Sequence, residues 1–97
     1  MADPRYPIGR YTPPAEITQK DLDGWIELLA TFPARLVAAV ENLSDTQRDT
    51  PYRPGGWTIR QVVHHVADSH MNAYVRFKLA LTEHVPTVKP YDEKRWA

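Results

Sequence analysis

Apolar residues recur every three or four positions along the first half of the chain, a spacing typical of an amphipathic helix. Thr18 is a candidate N-cap because Asp21 follows three residues later. Ile17 and Leu22 flank this start at the positions of a hydrophobic staple. The pattern predicts a first helix within residues 18–43. Its apolar face comprises Leu22, Trp25, Ile26, Leu29, Phe32, Leu36, Val37, Val40 and Leu43.

Pro33 falls inside this pattern without changing its phase. A proline in such a position either kinks a continuous helix or marks the start of a new one. Because the apolar spacing is the same on both sides, we expect a single helix with a kink.

A second helix begins at the clearest start signal in the chain. Thr58 and Gln61 form the pair of a capping box, and Trp57 and Val62 occupy the staple positions. The pattern predicts a helix over residues 58–83. Trp57 is accordingly expected to be a structural residue that fills a gap between helices.

Three further segments have little regular periodicity. Residues 1–17 are rich in proline and predict an extended arm, packed through aromatic and aliphatic side chains at Tyr6, Ile8 and Tyr11. Residues 44–57 form a connection in which Ser44 and Gln47 could cap one short turn, before prolines and glycines prevent a long helix. Residues 84–97 predict an irregular tail that becomes helical near Asp92.

The second helix is apolar on two opposite sides. One side is lined by Ile59, Val63, Val66, Ala73, Phe77 and Leu81, and the other by Met71, Val75 and Leu79. A hairpin of two helices cannot cover both sides, so two such hairpins are expected to meet in a four-helix bundle. The predicted fold class is all-α, with this chain forming a helical hairpin that is half of the bundle and that a second chain completes.

Composition excludes several classes of partner. Ninety-seven residues suffice for one domain. The 12 basic residues balance 12 acidic ones, so the chain has no net positive charge to attract nucleic acid or an anionic membrane. The sequence has no apolar run of membrane-spanning length and no apolar signal-peptide core near its N-terminus, so it predicts a cytoplasmic protein. The absence of cysteine excludes disulfides and thiolate ligands. A metal site here would need histidine, carboxylate and water.

Two of the histidines in "GGWTIRQVVHHVADSHM" have simple structural explanations. His70 lies near the centre of the main apolar stripe, where a buried histidine satisfied by a hydrogen bond is the expected role. His64 and Asp68 stand four residues apart and can pair on one helix face.

His65 lies at the edge of the apolar stripe and is either a metal ligand or a polar residue at a bundle edge. No two histidines stand at the i,i+4 separation with which one helix holds a metal ion. The segment therefore contributes at most one histidine ligand, and Asp68 or Ser69 could orient its ring through a hydrogen bond.

Three stretches resemble the YfiT-like branch of the DinB superfamily: "YPIGRY", "TPYRPGGWTIRQVVHHVADSHMNAYVRFKLALTE" and "PYDEKRWA". Members of this branch are described as metal-dependent hydrolases and are related to bacillithiol S-transferases. The resemblance implies a four-helix bundle in which three histidines bind zinc or nickel with open positions for water, and a small molecule as the substrate. The second histidine of the "HH" pair is one of the three, which makes His65 the metal ligand here. The other two belong to a His-x-x-x-His motif on a last long helix, and the 97 residues contain no such motif.

Three functions are compatible with this sequence. The chain is a metal-dependent hydrolase or thiol S-transferase whose remaining ligands come from a second chain. Alternatively, two copies form a homodimer that brings two His65 side chains together. In the third case the chain is a non-catalytic helical association module that keeps only the scaffold.

Overall fold

A computed structural model describes residues 3–97 of the chain. These residues form no strand, and an isolated antiparallel bridge joins Pro51 to Thr58. The chain divides between Arg48 and Asp49 into two compact units. The predicted all-α class is confirmed. The helices are α1 (Gln19–Val40), α2 (Asp45–Arg48), α3 (Ile59–Thr82) and α4 (Glu93–Trp96).

Reciprocal hydrogen bonds fix the start of α1. The Asp21 amide donates to Thr18 Oγ1 at 3.2 Å, and the Thr18 amide donates to Asp21 Oδ2 at 2.9 Å. The predicted N-cap is confirmed, since two amide groups without helical partners are satisfied at this end. The helix continues through Pro33, as the unbroken phase of the apolar pattern predicts.

The end of α1 lies earlier than the apolar spacing predicts. The helix stops at Val40, whereas the pattern extends to Leu43. Arg48 explains the difference, because its Nη2 donates to the carbonyl oxygens of Val40 at 3.2 Å and Glu41 at 3.0 Å. A side chain from the next element thus satisfies carbonyls at the helix end.

The short helix α2 has the same kind of start. The Gln47 amide donates to Ser44 Oγ at 3.1 Å, and the Ser44 amide donates to Gln47 Oε1 at 2.8 Å. The predicted capped turn in the connection is therefore confirmed.

The start of α3 is held by a third reciprocal pair. The Gln61 amide donates to Thr58 Oγ1 at 3.1 Å, and the Thr58 amide donates to Gln61 Oε1 at 3.0 Å. An ion pair adds a further tie, since Arg60 Nε lies 2.8 Å from Asp49 Oδ1. The observed bounds, Ile59–Thr82, lie within the predicted range 58–83.

Replacing the cap of α3 should lower stability by a measurable amount. We expect Thr58→Ala to reduce the free energy of unfolding by about 1 kcal/mol, because the Gln61 amide loses its acceptor. Thr82→Ala is the matched control, since the Thr82 hydroxyl donates only to the Lys78 carbonyl within the last turn of the same helix, at 2.7 Å. Urea denaturation at one fixed protein concentration compares the two. An equal loss in both variants would show that the cap has no special role.

The C-terminal segment returns to α3 and ends in a helical turn. The Arg95 amide donates to Asp92 Oδ1 at 3.3 Å, which confirms the helical turn predicted near Asp92. The segment and α3 together enclose a cleft of about 520 Å³. The cleft meets the side of α3 that bears Met71 and Val75, although each of these side chains remains more than half exposed, at 58% and 52%.

The N-terminal arm is packed less than the sequence predicts. Ile8 is 98% exposed and Tyr11 is 75% exposed, so the prediction that these side chains anchor the arm is wrong. The arm's contacts are local instead, with the Arg10 guanidinium 4.2 Å from the centre of the Tyr6 ring. A cation above an aromatic ring holds such a segment without burying apolar area.

None of the side chains in residues 3–97 is buried. Large apolar side chains are instead exposed on both long helices, which leaves apolar surface in contact with water. Burial of such surface is the main favourable term in folding. Within the same residues, neither long helix has the length and apolarity needed to cross a membrane. The apolar side chains more than half exposed on the two helices are Ile26, Leu28, Leu29, Val37, Met71, Tyr74, Val75, Phe77 and Leu81.

Candidate metal site

The second unit places His65 against the indole of Trp57. The two ring centroids are 4.9 Å apart and the ring planes are inclined by 51°. This is a tilted aromatic contact of the kind that ring quadrupoles favour. Both side chains are half-buried. His65 lies eight residues after Trp57, so the contact joins the residue before the Thr58 cap to a point about two turns inside the helix.

The loop before α3 determines where Trp57 lies. Its carbonyl accepts a hydrogen bond from the Tyr52 amide at 3.2 Å, and the Gly56 amide donates to the Arg53 carbonyl at 2.9 Å. Gly55 has a φ of +72°, which a residue with a side chain rarely adopts. A Cβ at Gly56 would lie 2.6 Å from Arg53 Cγ, so this position also excludes a side chain unless Arg53 moves. The "PGG" sequence therefore sets a tight turn that delivers Trp57 to the start of α3.

The Nδ1 atom of His65 is buried and has no hydrogen-bond partner among the residues that the structure describes. Leaving a polar atom of this kind without a partner costs about 1–3 kcal/mol. Unsatisfied buried polar atoms are rare in proteins, and a bound ion or a functional role is a common explanation for one. A half-buried, aromatic-lined imidazole fits the role of a metal ligand.

The residues predicted to support His65 make no hydrogen bond to its Nδ1 atom. Ser69 Oγ donates to the Val66 carbonyl at 3.3 Å, and the Asp68 carbonyl accepts from Asn72 Nδ2 at 2.8 Å. Neither Asp68 nor Ser69 reaches His65 Nδ1. The prediction that one of them orients His65 is therefore wrong for the conformation described.

His64 and His65 are adjacent in sequence but lie in different environments. His64 is exposed, whereas His65 is half-buried. The predicted pairing of His64 with Asp68 is not among the ion pairs within residues 3–97. His64 is thus a solvent-facing residue beside the candidate ligand.

His70 is exposed, and the prediction that it is buried in the main apolar stripe is wrong. The stripe is covered only near its start, where Ile59 and Val63 are half-buried. Further along, Phe77 is 67% exposed and Leu81 is 83% exposed. Helical periodicity identifies which residues share a face, but it does not show how much of that face a neighbour covers.

The described part of the chain contains no group of three or more histidine, aspartate or glutamate residues able to hold a metal ion. His65 therefore provides one candidate ligand rather than a complete site. Residues beyond the described set would have to supply the others, because a single imidazole binds a divalent ion weakly.

The periodicity of the sequence does not reveal the contact between Trp57 and His65. A helical wheel positions residues within one helix, but Trp57 precedes the N-cap and lies off that wheel. The available signal was the "PGG" turn directly before Trp57, which indicates a backbone that reverses sharply at this point.

A model of the DinB superfamily matches residues 28–97, which is more than half of the chain. The chain belongs to the DinB superfamily. This confirms the resemblance seen in the sequence, and the matched DinB region contains all of α3 and the His65 position.

Two bacterial DinB relatives carry names that provisionally describe metal-dependent hydrolases. YfiT of Bacillus subtilis (strain 168) is 60% identical over 92 residues, which are 95% of this chain and 52% of the relative. A protein of Bacillus cereus (strain B4264) is 58% identical over 97 residues, which are 100% of this chain and 56% of the relative. The chain thus spans about half the length of the curated relatives that it matches.

The structure of YfiT from Bacillus subtilis matches this chain with a TM-score of 0.92 at 58% identity. The match covers 98% of this chain and 54% of the YfiT chain, which is described as having an unusual four-helix bundle topology. The helical DinB architecture predicted from the sequence is therefore shared with a solved relative.

Proposed function

We propose that this chain contributes His65 to a zinc or nickel centre of a DinB-type metal-dependent hydrolase or thiol S-transferase. The observation that supports the proposal most directly is the buried His65 Nδ1 atom without a partner, held beside Trp57. The names of the Bacillus relatives support the metal-dependent part of the proposal. The two alternative reactions, hydrolysis and thiol transfer, are taken from the family resemblance.

In this proposal the chain supplies one ligand and part of the surrounding wall. His65 offers an imidazole nitrogen from α3, and Trp57 shields one side of that ring from water. A divalent ion at such a centre acts as a Lewis acid toward a hydrolysable bond or a thiol substrate. The two remaining histidines come from a His-x-x-x-His segment outside these 97 residues. A small molecule is the proposed substrate.

A second candidate function is a non-catalytic association module, either as a homodimer or as a subunit of a mixed complex. The specific observation in its favour is the exposure of apolar side chains on α1 and α3 together with the absence of any buried side chain in residues 3–97. Apolar area on this scale marks a surface that contacts another protein. In this case His65 remains a polar residue at the edge of the bundle.

Metal stoichiometry distinguishes these functions. The experiment combines this chain with the part of Bacillus subtilis YfiT outside the 92 matched residues, and measures mass and metal content by native mass spectrometry. We expect one zinc or nickel ion per mixed complex and none, or a substoichiometric amount, in a homodimer of this chain. A mixed complex without metal, after equilibration with either ion, would contradict the hydrolase or transferase proposal and favour the association module.

A further inference from the structure

Trp57 is fixed from both sides along the backbone. Its carbonyl is tied to the Tyr52 amide, and Thr58, the residue that follows, is the cap of α3. The indole therefore starts from a defined point relative to the helix axis, and it meets His65 two turns further on. A side chain anchored in this way can hold a partner ring at a set angle.

His65 lacks the usual means of orientation. A histidine that binds metal through one ring nitrogen almost always donates a hydrogen bond from the other, which fixes the orientation of the ring. Here Nδ1 is buried and has no such partner, while Asp68 and Ser69 make no hydrogen bond to it. The contact that remains to define the ring's tilt is the indole of Trp57 at 4.9 Å.

We propose that Trp57 is the positioning residue for His65 and takes the place of a hydrogen-bonding partner. The indole sets the tilt of the imidazole, since no hydrogen bond to Nδ1 within residues 3–97 sets it instead. This inference rests on the proposed function of His65. It assigns to Trp57 a role beyond the staple contact that its position before the Thr58 cap provides.

The role requires an aromatic ring rather than apolar volume alone. Two aromatic rings prefer a limited set of tilted and offset arrangements, so their contact restricts the angle between them. A leucine side chain fills much of the same space but has no ring quadrupole and imposes no such angle. Trp57→Phe should therefore preserve the function of this residue and Trp57→Leu should not. Trp57→Ala is less informative, because it also removes most of the packing.

The first test uses the metal-free chain and observes the imidazole directly. Aromatic NMR spectra should show the carbon-bound ring protons of His65 displaced by the ring current of Trp57. We expect the displacement to persist in Trp57→Phe and to disappear in Trp57→Leu. Trp96→Leu is the matched control, because the Trp96 ring contacts Tyr91, with centroids 4.9 Å apart, and should leave His65 unchanged. A His65 signal without any displacement in the wild-type chain would overturn the proposal.

The second test measures zinc or nickel affinity in the mixed complex with the YfiT segment. Trp57→Leu should weaken the affinity about 10–100-fold, as loss of an orienting partner typically does, while one ion per complex still binds at saturation. Trp57→Phe should keep most of the wild-type affinity. Circular dichroism checks that helix content is equal in all variants. Equal affinity in the wild-type and Trp57→Leu complexes, or equal losses in Trp57→Phe and Trp57→Leu, would overturn the positioning role.

The two proposals fail in different ways. If His65 is not a ligand, His65→Ala leaves metal binding unchanged, and this result alone removes the proposed function. If Trp57 does not position His65, either the ring-current displacement is absent from the metal-free chain or His65-dependent metal binding is equally tight in the wild-type and Trp57→Leu complexes. The NMR result is obtained without metal, so neither failure can be mistaken for the other.

Discussion

His65→Ala is expected to abolish tight zinc or nickel binding by the mixed complex, whereas His64→Ala should leave most of it intact. Successive helical residues point about 100° apart, so the two imidazoles cannot face the same interior. The structure shows the difference directly, with His64 exposed and His65 half-buried beside Trp57. Removing a ligand should cost more than the roughly 10–100-fold typical of an orienting partner.

Isothermal titration of each complex with zinc and with nickel measures this effect. His64→Ala is a matched control because it removes the same side chain from the adjacent position of the same helix. Two results would contradict the assignment of His65. One is an equal loss of affinity in the two variants, and the other is unchanged affinity in His65→Ala.

The second large effect concerns the chain by itself, which we expect not to exist as a stable monomer. None of residues 3–97 is buried, and the sequence has no cysteine with which a disulfide could compensate. Small domains without a sufficient core need such a constraint or association with another chain. At micromolar concentration the chain should therefore self-associate, and its unfolding midpoint should rise with protein concentration.

Sedimentation equilibrium combined with urea denaturation at several concentrations measures this behaviour. Phe77→Gln should weaken the association, because Phe77 is an apolar side chain left 67% exposed on α3. Lys78→Gln is the control at the adjacent position, where a side chain that is already polar changes to another polar one. A monomer that unfolds cooperatively, with a midpoint independent of concentration, would show that the exposed surface needs no partner.

Helix starts were predictable from sequence because their determinants are local. Each reciprocal cap joins residues three positions apart, so Thr18, Ser44 and Thr58 could be recognised without knowledge of the fold. The end of α1 was less accurate, because Arg48 satisfies its last carbonyls from outside the helix. Contacts made across a turn do not appear in a periodic pattern.

The candidate site was predictable only in part. The resemblance to DinB proteins singled out His65, whereas spacing alone left it open as a ligand or an edge residue. Its contact with Trp57 depends on the loop before α3, whose conformation follows from Gly55 and Gly56 rather than from helical periodicity. The incorrect burial of His70 has a related cause, since the covering of a helix face depends on neighbours that the periodicity of one helix does not reveal.

The three reciprocal caps also affect how fast an assembly can form. Nucleation is the slow and unfavourable step in making a helix, and a cap at each start lowers its cost with contacts that close within one turn. Helical segments can then form within about a microsecond, long before two chains meet at micromolar concentration. Encounters therefore occur between chains whose helices are already partly formed. The rate of association should consequently depend on chain concentration and on the docking of these surfaces, rather than on the folding of the helices themselves.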